Sequence, residues 1–221
     1  MASIVRNAGG GGLADQLRVL AGKDGSASHP YLTTLLAPRA PARDLADALH
    51  GLALLHGRQP GVIDHAADHA PAAAAAPWLA AAREAFARER GLLAKLVVAA
   101  GPLPSTPGQS ESEAAVMAQH HALAMLGRSE RTGCALGAAF ALALDWRSVR
   151  AVLDAAAGRL GVPAPAPVFP LEEETGAAIA NADAGPASER ALLFGAQQLL
   201  LQHRGLWGLL EARAAARADA H

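Results

Sequence analysis

From Glu189 the chain sets Leu192, Ala196, Leu199, His203, Leu206 and Leu210 at alternating steps of three and four residues. That spacing is the stripe of a helix that faces a partner helix. Such a stripe has to be buried, so the rest of the chain must supply helices to cover it. Composition supports this: alanine, the best helix former, dominates, whereas aromatic residues make up only 4% and strand formers are scarce. The expectation is an all-α fold, a helical bundle of four to five long helices plus short helices. With 221 residues, the chain is long enough for one domain with a buried core.

Glycine and proline mark where each helix starts and stops. "NAGGGG" at Asn7–Gly12 is a flexible lead-in, and it is no phosphate loop, because no Gly-Lys-Ser/Thr follows it. "LADQLRVLA" and "SHPYLTTLLA" are short helices, the second with Pro30 at its first turn. Residues 1–42 are therefore read as lead-in and short helices, and 43–221 as a single helical-bundle domain. Within it, helices are expected at about Arg43–His56, across "GVIDHAADHA", at Pro77–Ala100, from Ser110 to near Gly127, across "RSERTGCALGAAFALALDWRSVRAVLDAAAGRL", and from Ser188 past Arg213. Ser110 and Glu113 have the spacing of a capping box. The stretch from Arg128 to Leu160 is either one long helix or two joined near Asp145. Its first half is apolar all round, which marks it as central, and Gly133, Gly137 and Ala141 on one face invite close approach of another backbone. "GVPAPAPVFPLEEETG" reads as a long proline-rich loop ending in solvated acids.

Several function classes are excluded. A net charge of -1 gives no electrostatic footprint for nucleic acid. The longest apolar run, "GCALGAAFALAL", has 12 residues, short of the roughly 20 a membrane span needs. No secretory signal is visible, and the expected location is the cytoplasm. Cys134, the only cysteine, lies in that apolar run and reads as a small buried hydrophobe. No Gly-x-Ser-x-Gly or HExxH motif occurs.

Placing side chains at about 100° per residue shows which polar groups fall inside the apolar stripes. His56 lies on the face of Leu45, Leu49 and Leu52, with Asp44, Asp47 and His50 opposite. Glu89 lies among Trp78, Phe86, Leu93 and Leu96. Gln119 is centred on the face of Val116, Leu123 and Leu126, and His203 sits in the final stripe. Buried polar groups need partners, so these four are expected to form a polar cluster inside the bundle. One reading is a hydrogen-bond network that fixes helix register. The other is a metal or small-ligand site using His56, Glu89 and His203, with redox chemistry as one use. No glutamate has a histidine three residues later, so the di-iron pattern is missing. His65 and His69 have the i, i+4 spacing of a metal clasp, but with Asp64 and Asp68 they fall opposite Val62, Ile63 and Ala66, on a solvated face. The final helix carries further apolar residues at Leu193, Phe194, Leu200, Leu201 and Trp207. It is therefore either fully enclosed or shared with a second copy in a homodimer. The function expected is non-catalytic, through binding or self-association.

The stretches "ERGLLAKLVVAAGPLPSTPGQ" and "RSERTGCALGAAFALALDW" resemble uncharacterised Ala-rich alphaproteobacterial proteins of a domain-of-unknown-function family. The likeness covers most of the chain after about Arg43 and implies no activity.

Overall fold

Alanine-rich segments separated by glycine and proline fold into nine α-helices, seen in a computed structural model that describes residues 12–68, 73–182 and 185–220. Five are long: α3 (Ala42–His56), α5 (Ala76–Ala100), α6 (Gln109–Gly127), α7 (Cys134–Leu160) and α9 (Pro186–Asp219). Four are short: α1 (Leu13–Asp24), α2 (Pro30–Leu36), α4 (Val62–Asp68) and α8 (Glu172–Asn181). No strand occurs among the described residues, and none of the described helices is long and apolar enough to cross a membrane. "NAGGGG" falls almost wholly outside the described residues, as does His69.

Helix α7 is the axis of the bundle. Every residue from Cys134 to Ala143 is buried, and the helix runs unbroken through Asp145 rather than dividing there. Helix α9 lies beside it in the same direction, with Gly133 next to Ser188 and Gly137 next to Leu192. The contact is backbone against backbone. A Cβ on Gly137 would lie 1.9 Å from the Leu192 carbonyl oxygen, and one on Gly195 would lie 2.0 Å from that of Cys134. Around this pair, α3 runs antiparallel to α9, and α5 and α6 close the sides. Leu17 of α1 and Tyr31, Leu32 and Leu35 of α2 enter the same core.

Three local expectations change. Helix α6 starts after Gly108, whose φ of 70° suits glycine. Ser110 and Glu113 then form no capping box: Ser110 bonds to Glu111, and Glu113 accepts from Gln109. The acids after Leu171 belong to α8, where Glu174 accepts the Leu171 N–H at 2.6 Å. Finally, Asp44 and Asp47 do not point away from the core. Both are buried, because α9 and the 101–108 connector cover that side of α3.

Candidate functional site

The stripe on α9 carries His203 to a depth where it is 1% exposed, between α7 and α3. Its Nδ1–H donates to Asp145 Oδ2 at 2.6 Å, and its Nε2 lies 2.8 Å from His56 Nε2. Asp145 also accepts from Ser26, through the backbone N–H at 2.7 Å and the hydroxyl at 2.5 Å. The Ser26 hydroxyl in turn accepts from Trp207 Nε1–H at 2.8 Å. One unbroken chain thus runs Trp207–Ser26–Asp145–His203–His56. None of its polar members is more than 5% exposed.

The bond order follows from donor and acceptor capacity. A carboxylate only accepts, so His203 donates its Nδ1–H to Asp145, and the tautomer with that single ring proton presents an acceptor at Nε2. His56 then donates through its own Nε2–H. The serine faces the carboxylate rather than a histidine, and its hydroxyl is already donating and accepting. It is fully buried and has no histidine beside it to act as general base, so no substrate can reach it. What the chain can do is hold one arrangement of α3, α7 and α9 and retain a proton.

The expected members are placed as follows. His56 and His203 touch. Glu89 is buried but meets neither: it accepts from Trp146 Nε1–H at 3.0 Å and from Arg150 Nη1–H at 2.6 Å. The Trp146 indole lies between it and His56, whose ring it meets edge-on at 5.5 Å. Arg150 also donates to Asp154 and to the Pro165 carbonyl, which ties the proline-rich loop to the bundle. Gln119 is only half-buried and joins none of these groups; its Oε1 has no partner among the described residues. Asp64 and His65 are buried rather than solvated, because α4 packs against α5, α6 and α7. Asp64 accepts from Gly61 N–H and from Arg90 Nη1–H, while Asp68 is exposed and paired with Arg83.

Two groups of buried residues escaped sequence reasoning. Ser26 and Asp145 complete the histidine chain. Asp44, Asp47, Arg213, Arg217 and Thr106 form an ionic cluster at the other end of α9. There Arg213 Nε–H donates to Asp47 at 2.9 Å, and Arg217 donates to Asp47 at 2.6 Å and to Asp44 at 2.8 Å. Two carboxylates balance two guanidiniums, so the cluster carries no net charge into the interior.

The geometry also tests a metal. His56 Nε2 and His203 Nε2 face each other at hydrogen-bond distance, and the other ring nitrogen of His203 is taken by Asp145. Two nitrogens ligating one ion would each lie about 2.0–2.1 Å from it and both point at it. Here they point at one another. Among the described residues no three His, Cys, Asp or Glu side chains converge as ligands.

Two outcomes follow from these bonds. Replacing Glu89 by leucine buries the Arg150 guanidinium without its main counter-charge, and should lower unfolding free energy by about 3 kcal/mol in urea titrations. A gain in stability would contradict the buried pair. The second concerns pH. Burial first, then His203, His120 and Arg90, hold the pKa of His56 well below its ordinary 6.5. The unfolded chain takes up a proton near 6.5 while folded His56 resists it, so the unfolded state binds more protons. Stability is then full above pH 6.5 and declines below it, by at most about 1.4 kcal/mol per pH unit. His56→Phe should flatten that slope, and equal slopes in both proteins would refute the assignment.

The fold and this interior define an all-α helical bundle with a hydrogen-bonded chain of polar side chains buried in its core. The chain belongs to a family of unknown function, DUF6975, which matches residues 21–218. No curated protein and no solved structure matches the chain.

Proposed function

We propose that the protein is a non-catalytic helical bundle of the cytoplasm that acts by binding. The carrying observation is the closure of the histidine chain on itself. Ser26, Asp145, His203 and His56 are residue types that catalyse, yet each is buried and bonded to the next. Self-association is the second form of this reading. It is favoured by Phe194 and Leu201, which lie seven residues apart on α9 and stay 42% and 46% exposed.

Elemental analysis and a visible spectrum of the purified protein test the proposal. The expected result is no stoichiometric iron, manganese or zinc. Metal at one equivalent, lost in His203→Leu, would overturn it in favour of a metal-binding bundle. Light scattering across a dilution series tests self-association, and a Phe194→Glu, Leu201→Glu variant should be monomeric at every concentration if that face is used.

A further inference from the structure

Outside the histidine chain, one cavity sets two polar side chains, His50 and Arg213, beside apolar walls. It has a volume of about 350 Å3 and lies between α3, α6, α9 and the 101–108 connector. Leu54, Leu103, Val116 and Leu209 supply its walls. This is the low end of the range for small-molecule sites, which are apolar with a few convergent polar groups and are often set between the helices of a bundle.

Two of its lining residues have spare hydrogen-bonding capacity. Arg213, with a side chain only 5% exposed, donates through Nε to Asp47 and through Nη2 to Thr106, and Nη2 also lies 2.9 Å from Asp47 Oδ1. Its Nη1 has no partner among the described residues. His50 donates its Nε2–H to the Gly101 carbonyl at 2.9 Å. The neutral ring therefore keeps an acceptor at Nδ1, also without a partner among the described residues. The cavity thus offers one donor and one acceptor beside an apolar wall.

The charges decide what fits. Asp47 already neutralises Arg213 at the inner end, and Glu113 lies at the exposed margin. With Arg213 and Asp47 neutralising each other, an anionic head would find no free counter-charge, and a cationic head would find only Glu113, out at the solvent-exposed margin. An uncharged hydroxyl accepts from Arg213 and donates to His50, with no charge to desolvate. We infer that this cavity binds an uncharged, largely aliphatic alcohol, with its hydroxyl between Arg213 and His50 and its chain against Leu54, Val116 and Leu209. This rests on the binding reading above and gives it a ligand class.

Octanol, octanoate and octylamine share a chain and differ only in the head group, so they make the test. The full-length protein, methyl-labelled with 13C, is titrated with each at about pH 8, where an ordinary histidine is neutral. Octanol should give saturable shifts confined to the methyls of Leu54, Leu103, Val116 and Leu209. It should bind at least about tenfold more tightly than octanoate or octylamine, whose charges must be desolvated. Ala53→Phe, on the cavity wall, should abolish the shifts with the circular dichroism of the fold unchanged. If that variant does not fold, Leu209→Phe provides the same block. His50→Phe should weaken octanol binding about three- to tenfold, the loss of one hydrogen bond. Shifts spread over the whole molecule, equal or tighter binding of octanoate, or octanol binding that survives a folded blocking variant would each overturn the proposal. Its failure is separable from failure of the broader reading: bound metal with normal octanol binding removes the non-catalytic function and keeps the cavity, and a metal-free protein blind to octanol does the reverse.

Discussion

Gly137→Ala is expected to lower unfolding free energy by at least about 3 kcal/mol, at or beyond the upper end for overpacking. The added methyl would lie 1.9 Å from the carbonyl oxygen of Leu192. That atom is backbone, so no rotamer change can relieve the clash, and α9 would have to move off α7 at this backbone contact. The same movement would separate His203 from Asp145, whose bond spans those two helices. Gly158 is the internal control. It lies on α7 too, but it is exposed and a Cβ there meets nothing within 4 Å. Gly158→Ala should therefore stabilise the protein by about 0.5–1 kcal/mol, through helix propensity alone. Urea titration of both variants checks the pair. If the two substitutions shift the midpoint alike, the backbone contact is not as close as described.

This contact is partly legible in the amino-acid sequence. The four-residue spacing of Gly133, Gly137 and Ala141 points to a close approach, because small residues at that spacing leave a groove on one helix face. The spacing does not say which helix fills it. Helix class and rough boundaries are legible for a related reason: local propensity and proline or glycine stops act over a few residues, and they do not depend on what packs against what.

The buried polar groups are harder to read, and particular residues show why. Asp44 and Asp47 fall opposite the Leu45–Leu49–Leu52 stripe, and a one-faced helix would expose them. Helix α3 is covered on more than one side, so the rule of one face fails there. The missing signal lies on α9. Continuing the same three-and-four count past Leu210 gives Arg213 and Arg217, both buried, and two buried arginines require two carboxylates. Asp145 is hidden by the apolar run before it. Counting back by three or four from Val149 puts it on the same stripe as Ala138, Leu142 and Val149, all buried. Ser26 sits in a single 3-10 turn between α1 and α2, where no helical period exists to reveal it. Glu89 and His203 are both turned inward by period, but period gives direction around a helix and nothing about depth along the bundle. That missing coordinate is why Glu89 meets Arg150 and Trp146 while His203 meets Asp145.

Asp145 should be the most sensitive polar position, and its variants test the direction of the whole chain. Asp145→Ala leaves the Ser26 N–H, the Ser26 hydroxyl and the His203 ring N–H without their acceptor in a dry interior. Unsatisfied buried donors cost about 1–3 kcal/mol each, and relaxation keeps the sum below full additivity, so a loss of about 4 kcal/mol is expected. Asp145→Asn has the same shape but a different polarity. Its oxygen can still accept the Ser26 N–H that Oδ1 accepts now. Its amide nitrogen, in place of Oδ2, must donate where a carboxylate accepted. His203 can answer by moving its proton from Nδ1 to Nε2, after which it donates to His56 Nε2 instead of accepting from it. His56 then carries its proton on Nδ1. The serine hydroxyl loses its acceptor, and that one group limits the rescue. Asp145→Asn should accordingly be less destabilising than Asp145→Ala, with the His203 tautomer reversed. Imidazole 15N shifts report that tautomer directly. Nδ1–H in the wild type and Nε2–H in Asp145→Asn would establish the order Ser26–Asp145–His203–His56 as a directional chain. An unchanged His203 tautomer in a folded Asp145→Asn protein would show that the carboxylate does not set that direction.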